Sequence, residues 1–396
     1  MAESKEYSKT YFIMMALMIL TGTCNTVFLK LQNKFYDTIL GYPYQHPWFQ
    51  TLIMFIGEFY CALFWLCARS KIQRDEETEK EERISKGEEV VELPEASPFL
   101  FLVTMGCDLV GSTLLNFALL NMAGSVFQML RGGIIVITCA FSIIFLSKYP
   151  KNYQWLGVGV VFLGVFLVGL SSQIYSSSGG ESTNILGILM LIASLMFQGF
   201  QFIYQEKILN KYKCHPMQLV AWEGTWGVIA FLILLPIFEF IPCGPSFESI
   251  CSINGKGQLY LESTIFGFEQ MFDKIPIFFF TILQTFSICG FNFFGIMLVK
   301  MSSSSTRAVM DSTRTVLVWI FFMIVPMMNG KTLEKFVWLQ LVGFIVLLLG
   351  QTIYNAIIKI PILGFDKHFK TEENSDTANE EIDKNLLTKD GSEKNN

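Results

Sequence analysis

The chain has 396 residues, of which 52% are apolar and only 16% are charged, and its mean hydropathy is +0.45. That composition is too apolar for a surface that faces water, which argues against a soluble globular protein and favours a chain that lies in a lipid bilayer. The net charge of −5 comes mainly from the loops, and no basic stripe indicates a nucleic acid partner.

Ten apolar windows have about the 20 residues that a helix needs to cross the hydrocarbon core. The first begins after nine residues and lacks a small-residue cleavage site, so we interpret it as a membrane helix and not as a signal peptide. The predicted fold is an all-α polytopic membrane protein. Its ten transmembrane helices are expected at 10–30, 48–68, 98–120, 123–147, 153–171, 185–205, 217–240, 276–299, 304–328 and 336–358.

The charged residues avoid these windows. The segment 69–97, which contains E-E-T-E-K-E-E-R, is expected to be a solvated linker that needs no fold, and the segment 361–396 a disordered tail. If the N-terminus is cytoplasmic, that side holds 20 Lys and Arg residues and the opposite side holds six. Because positive residues are retained in the cytoplasm, both termini are predicted to be cytoplasmic.

The sequence repeats itself with similar residues in the same order. The first five predicted helices, in 1–171, are joined by the loop 172–184 to the second five, in 185–360. Because each repeat has an odd number of helices, the second must enter the membrane from the other side, so the repeats are expected to be inverted. The matches are Lys30 with Lys207, His46-Pro47 with His215-Pro216, Arg131 with Arg314, and Trp155 with Trp338.

Nine cysteines form no C-x-x-C pair, and the three histidines are far apart, so we expect neither a structural metal site nor a cofactor. Cys243 and Cys251 lie in the long loop 241–275, which is predicted to face a lumen. Either a disulfide or two free thiols fits this placement.

Charged residues inside the predicted spans are the candidates for function, because a charge at mid-bilayer costs about 2.5–3.5 kcal/mol on insertion scales. Gln128 and Arg131 share one face of the fourth span, and Arg307, Asp311 and Arg314 share one face of the ninth. The planar guanidinium groups of Arg131 and Arg314 are suited to gripping a carboxylate or phosphate on a solute. The alternative is a structural ion pair in which Asp311 neutralises one of them.

Three further acids are immersed, one each in the second, third and seventh spans: Glu58, Asp108 and Glu223. Asp108, Ser112 and Asn116 share a face, as a polar wall of the solute path or as packing between helices. Glu58 and Glu223 are candidates for carrying a coupling proton. Four acids against three arginines leave the sign of the solute's charge open.

Glycines recur in the fifth and tenth spans, where they suit either close helix packing within the chain or the surface of a homodimer: Gly157, Gly159, Gly164, Gly169, Gly343 and Gly350.

The run Ser125-Val-Phe-Gln128-Met-Leu-Arg131-Gly132, its counterpart from Ser305 to Arg314, and His46-Pro47 before a span with Gly57-Glu58 resemble the drug/metabolite transporter superfamily. Within it the chain is most similar to solute carrier family 35, subfamily F. The resemblance implies a ten-helix inverted repeat, alternating access and a central cavity lined by the first four helices of each half.

Substrate and compartment stay open under this resemblance. Nucleotide-sugar members exchange a nucleotide sugar for a nucleoside monophosphate, and more distant relatives in digestive vacuoles export peptides and drugs. The expected function is secondary transport of a small organic solute, such as a nucleotide-sugar-like or other anionic or polar metabolite. The alternatives are proton-coupled export of cationic or neutral metabolites from an acidic organelle, and a membrane adaptor that transports nothing.

No catalytic motif favours an enzyme. The resemblance and the tail sequence Asp383-Lys-Asn-Leu386-Leu387, which is similar to an acidic dileucine signal, favour a lysosomal or vacuolar membrane, with mitochondrial and Golgi membranes as alternatives.

Overall fold

The computed structural model describes residues 9–36, 41–85, 93–122, 124–175, 184–244, 251–324 and 337–354. Within these residues the chain is nearly all helical, with one small hairpin of two strands. The strands are β1 (Ser252–Ile253) and β2 (Leu259–Tyr260), paired antiparallel. The helices are α1 (Lys9–Gln32), α2 (Pro47–Ser85), α3 (Phe101–Leu120), α4 (Gly124–Arg131), α5 (Ile134–Leu146), α6 (Asn152–Tyr175), α7 (Ile185–Lys211), α8 (Pro216–Phe238), α9 (Thr264–Asp273), α10 (Ile275–Met301), α11 (Ser304–Ile324) and α12 (Trp338–Tyr354).

In the part of the chain that the structure describes, eight helical segments are long and apolar enough to cross a membrane, which makes the chain a polytopic membrane protein. α11 is not one of the eight, since it carries Arg307, Asp311 and Arg314. α12 is apolar but has only 17 residues. The eight segments are Lys9–Gln32, Pro47–Arg74, Pro98–Leu120, Val126–Leu146, Asn152–Ser171, Ile185–Lys211, Pro216–Phe238 and Ile275–Met301.

The second helix does not end at the membrane boundary. α2 continues to Ser85, so much of the segment expected to be an unfolded linker is helical. Glu, Lys and Arg have good helix propensity, and acids and bases three or four residues apart support one another along this stretch. The expectation of no folded structure was therefore wrong up to Ser85, and residues 86–92 lie outside the described part.

The fourth predicted span is broken. α4 ends at Arg131, Gly132 and Gly133 follow, and α5 begins at Ile134. The amides of both glycines donate to carbonyl groups three residues earlier, at 3.1 and 3.0 Å, so the regular i to i−4 pattern is interrupted. The break places Arg131 at the C-terminal end of a helix, where the helix dipole favours a cation.

The loop between α8 and α10 folds into a cap, which we define as residues 251–273 and which contains β1, β2 and α9. Cys243 and Cys251 are joined by a disulfide at its start. The cap is fixed to the membrane helices by Glu262, whose carboxylate accepts from the amides of Trp48 and Phe49 at 3.1 and 3.2 Å. Those amides belong to the first turn of α2, so the cap supplies the acceptors that this helix end needs.

The membrane helices pack in pairs that join the two halves of the sequence. α1 packs on α10, α2 on α8, α3 on α7, and α6 on α12. Glycines bring α6 and α12 together, since a Cβ at Gly164 would lie 2.5 Å from the Leu347 amide nitrogen and one at Gly350 would lie 2.5 Å from that of Val161. These two glycines therefore serve packing within the chain.

Candidate functional site

A cavity of about 70 Å³ lies between the two halves of the chain. It combines two guanidinium groups and several carboxamides with a few apolar side chains, as expected for a site that orients a polar solute. Its lining residues are Asn25, Thr26, Leu29, Gln50, Met54, Ser112, Leu115, Asn116, Leu119, Phe127, Arg131, Gln198, Gln284, Ile288, Phe291, Asn292 and Arg314.

Arg131 and Arg314 share one acid. The Arg131 Nη2 atom donates to Asp311 Oδ2 at 3.2 Å, and the Arg314 Nε atom lies 2.7 Å from Asp311 Oδ1. Arg314 also donates to the Gly22 carbonyl at 2.9 Å, and its guanidinium carbon lies 4.4 Å from the centre of the Phe291 ring. A second helix thus supplies the acid that Arg131 lacks in its own.

Two guanidinium groups and one carboxylate leave one net positive charge at the cavity wall. All three side chains are almost fully buried, and a buried charge is normally matched by a partner of opposite sign. The Arg131 Nε atom is buried without a hydrogen-bond partner. The arrangement therefore has both the charge and a donor with which to bind an anion.

A second cluster of buried charges is more acidic. Glu58, Asp108 and Glu223 lie close enough to interact, and Arg307 faces them. Asp108 accepts from Ser112 at 2.7 Å and from Gln201 at 2.9 Å.

This acidic cluster is tied to the cavity wall and to α11. Gln205 donates to both Glu223 oxygens at 2.8 and 3.1 Å and accepts from Arg307 at 2.9 Å. Glu58 accepts from Asn292, which lines the cavity. The acidic cluster is therefore hydrogen bonded to one residue of the cavity wall and to Arg307 of α11.

Charged side chains tie the helix ends together on both sides of the cavity. The Lys30 amino group donates to the Leu119 and Met122 carbonyls, both at 3.1 Å, and so joins α1 to the end of α3. Glu206 near the end of α7 pairs with Lys148 after α5. Its carboxylate also accepts from the amide of Ser304, the first residue of α11, at 2.8 Å.

The predicted site residues fall into three places. Arg131, Arg314 and Asn116 line the cavity, with Asp311 bridging the two arginines. Asp108, Glu58 and Glu223 form the acidic cluster instead. Gln128 is fully buried outside the cavity lining, with neither amide atom hydrogen bonded.

Sequence analysis missed several polar residues that line the cavity, among them Asn25, Gln50, Gln284 and Asn292. All four are polar residues in or beside apolar windows, the same signal that identified Asn116. They carry no charge and lie on no obvious polar stripe, so the pattern gave them less weight.

The chain matches the family profile CRT-like, chloroquine-resistance transporter-like, over residues 11–354. It is 33% identical over 368 residues to solute carrier family 35 member F6 of Pongo abelii, covering 90% of this chain and 92% of the relative. The human protein of the same name is 32% identical over 367 residues, with the same two coverages.

Two further likenesses are weaker. The human UDP-N-acetylglucosamine transporter is 29% identical over 128 residues, which are 31% of this chain and 39% of that protein. A crystal structure aligns over 88% of this chain and 97% of its own, with a TM-score of 0.52 at 8% identity. At that identity the structural likeness reports the fold alone.

Proposed function

We propose, from the premise that the chain belongs to the CRT-like family, that it carries a small organic anion across its membrane through the cavity between its halves. The apolar helices and the relatives named as solute carriers and as a UDP-N-acetylglucosamine transporter establish the broader class, a multi-pass membrane solute transporter. The substrate class and the mechanism are our proposal.

One observation carries the choice of an anion. Arg131 and Arg314 line the same cavity and share Asp311, whereas Glu58, Asp108 and Glu223 do not belong to its lining. Counting charges along the sequence left the sign of the solute open because it pooled all of these groups. The positions of the two arginines at the cavity favour a carboxylate or phosphate there, since a guanidinium fork matches both groups.

We further propose that the described helices form ten spans as two inverted repeats, with α11 and α12 as the ninth and tenth. The packing supports this assignment. Exchanging each helix of one half for its counterpart turns the α1–α10 contact into the α7–α3 contact, while α2–α8, α4–α11 and α6–α12 map onto themselves. A two-fold axis in the membrane plane has this effect, and transporters of that plan bind solute between the repeats.

The same arrangement supports alternating access, in which the cavity opens to one side of the membrane at a time. The small cavity and the tied helix ends support a state that is closed on both sides. For solute to leave toward the Lys148 end, the Glu206–Ser304 contact must open. For it to leave toward the cap, α1 and α3 must part where Lys30 joins them.

The test is uptake into liposomes that hold the purified protein. Arg131→Ala should abolish transport of an organic anion, with the variant still folded in detergent, because the anion loses its guanidinium contact. Arg74→Ala, at an exposed arginine at the end of the membrane segment of α2, is the matched control and should transport normally. Normal uptake by Arg131→Ala would refute the proposal.

The acidic cluster supports a second candidate, a proton-coupled exporter of cationic or neutral metabolites. Three carboxyl groups face one arginine there, and such buried groups form proton relays in pumps and transporters. The same liposomes discriminate between the two candidates. Exchange without a pH gradient supports the anion carrier, whereas strict dependence on a gradient that is lost in Glu58→Gln supports the second candidate.

For location, we propose an endolysosomal or vacuolar membrane with both termini in the cytoplasm, and mitochondrial or Golgi membranes remain the alternatives. The 20 to 6 distribution of basic residues supports the orientation. The dileucine sequence in the tail supports the compartment, and it lies outside the described residues.

A further inference from the structure

A chain of hydrogen bonds fixes which atom of Gln50 is left for the cavity. It starts at a backbone carbonyl, which can only accept: the Thr281 hydroxyl donates to the Ile277 carbonyl at 2.9 Å. Having donated its one hydrogen, that hydroxyl must accept the 2.6 Å bond from Gln32, so it receives the amide nitrogen of Gln32.

The direction of these hydrogen bonds also determines the orientation of the Gln50 side chain. With its nitrogen used at Thr281, Gln32 presents its oxygen to Gln50 at 3.0 Å, and this oxygen requires a donor. The Gln50 amide nitrogen supplies that donor and also donates to Asn33 Oδ1 at 2.6 Å. The Gln50 Oε1 atom is left over, buried and without a hydrogen-bond partner, on a residue that lines the cavity. Its orientation therefore follows from its neighbours and is not an arbitrary choice between two amide atoms.

Two more carboxamide oxygens at the cavity share this state. Asn25 Oδ1 and Gln284 Oε1 are also buried without a hydrogen-bond partner. These three acceptors come from α1, α2 and α10, whereas the arginine pair comes from α4 and α11. Burying an acceptor without a donor is unfavourable, so the cavity favours a ligand that brings hydrogens to these oxygens.

We propose that the solute is a small anion that also carries hydroxyl or amino groups, with its anionic group at Arg131 and Arg314 and its donors at Gln50, Asn25 and Gln284. This inference rests on the proposed transport of an anion. It adds the groups that recognise the part of the solute that carries no negative charge. A polyol phosphate and a zwitterionic amino acid both have this chemistry. An anion with an alkyl group in place of its donors would leave all three oxygens unpaired.

The experiment compares matched ligands in thermal-shift and counterflow assays with the purified protein. Glycerol 3-phosphate is set against propyl phosphate, and β-alanine against propionate, so that each pair shares its anionic group and differs in donors. A site built to bond a donor rejects the analogue that lacks it. We expect about a tenfold preference for the donor-bearing member of at least one pair, equal to about 1.4 kcal/mol. The pair that shows the preference identifies the source of the chemistry.

Thr281→Val is the decisive variant, because Thr281 does not line the cavity but anchors the chain of hydrogen bonds. Its loss releases Gln32 and Gln50 to rotate, so the preference should fall to about threefold or less while the donor-free anion binds as before. Thr285→Val is the matched control. It removes a similar buried hydroxyl, bonded to the Thr281 carbonyl at 2.8 Å in the same helix, and should keep the full preference.

The outcomes separate this inference from the proposed function. Equal binding of both members of each pair, abolished by Arg131→Ala, would overturn the inference and leave the anion carrier standing. A preference that survives Thr281→Val would also overturn it. If none of the four compounds binds and Arg131→Ala leaves transport intact, both proposals fail.

Discussion

The two His-Pro pairs that open α2 and α8 look alike in sequence but cap their helices by different means. His215 caps α8 itself, since its Nδ1 atom accepts from the Met217 amide at 3.2 Å. At α2 the capping acceptor is Glu262 of the cap, and His46 holds that carboxylate with its Nδ1 atom at 2.6 Å. A nitrogen that accepts a hydrogen bond carries no proton. The His215 cap therefore requires a neutral imidazole ring with its Nδ1 atom unprotonated.

Acid should therefore weaken the fold at His215. Burial, aided by the charge of Lys300, lowers the pKa of His215 from 6.5 to about 4. A histidine with a lowered pKa contributes stability that is fully present above pH 6.5 and is lost as the pH falls toward 4. His215→Asn keeps a capping oxygen but does not titrate. Thermal unfolding of the purified protein between pH 7 and pH 4 should show a smaller fall in the midpoint for the variant than for the parent protein.

If the two curves stay parallel across that range, His215 is not the titrating group. Lys300→Gln offers an independent check, because removing the neighbouring charge should move the His215 transition to higher pH.

The sequence identified some residues of the candidate site but not the contacts that they make. An arginine in an apolar window is conspicuous, so the immersion of Arg131 and Arg314 could be predicted from spacing and hydropathy alone. That Asp311 bridges both of them could not, because the contact joins α4 to α11 across 180 residues. The role of Gln50 could not be predicted either, since it depends on the direction of the hydrogen bonds that link it to Gln32 and Thr281.

At the scale of elements, the contact between α6 and α12 depends on glycines, which have no side chain to keep the two helices apart. A Cβ at Gly157 would lie 2.7 Å from the Tyr354 amide nitrogen, and one at Gly164 would lie 2.5 Å from that of Leu347. Both clashes are with backbone, which cannot rotate away as a side chain can. Gly159 lies on the same helix, but a Cβ there meets nothing within 4 Å.

Gly164→Ala should therefore destabilise the protein, by about 1–3 kcal/mol as is typical of overpacking, by forcing α12 away from α6. Gly159→Ala should be neutral or slightly stabilising, since alanine is the better helix former. Thermal unfolding of both variants in the same detergent measures the difference. Equal midpoints would show that the two helices are not packed at this distance.

The elements show where pattern reasoning works in this protein. Long apolar runs between charged loops predicted the starts of the eight apolar membrane segments within a few residues, because insertion depends on local composition. The pattern did not predict the break at Gly132 and Gly133, where apolar residues continue on both sides. It also missed α9 and the hairpin, whose fold depends on the disulfide and on Glu262 reaching the start of α2.

At the scale of the whole molecule, the contact between the halves limits how the protein can move. α1 and α7, the first helices of the two proposed repeats, each pack mainly on helices of the other half of the chain. α1 packs on α10 and α11, and α7 packs on α3, α4 and α5. The tie at Lys30 lies at the end of α1 and the tie at Glu206 near the end of α7. Under the proposed two-fold arrangement, the two ties are equivalent, since each involves the first helix of a repeat. Alternating access would then open one tie while the other stays closed.

The proposed two inverted five-helix repeats make an even total of spans, so we expect both termini on one face of the membrane. Epitope tags at residues 1 and 396 should be stained together after selective permeabilisation of the plasma membrane. A tag inserted at Gly257, in the exposed turn between β1 and β2, should be stained only after all membranes are opened, because we expect the cap on the opposite face from the termini. Staining of the two terminal tags under different conditions would require an odd number of spans. That result would remove the two-fold axis, and the shared cavity of Arg131 and Arg314 would then need another explanation.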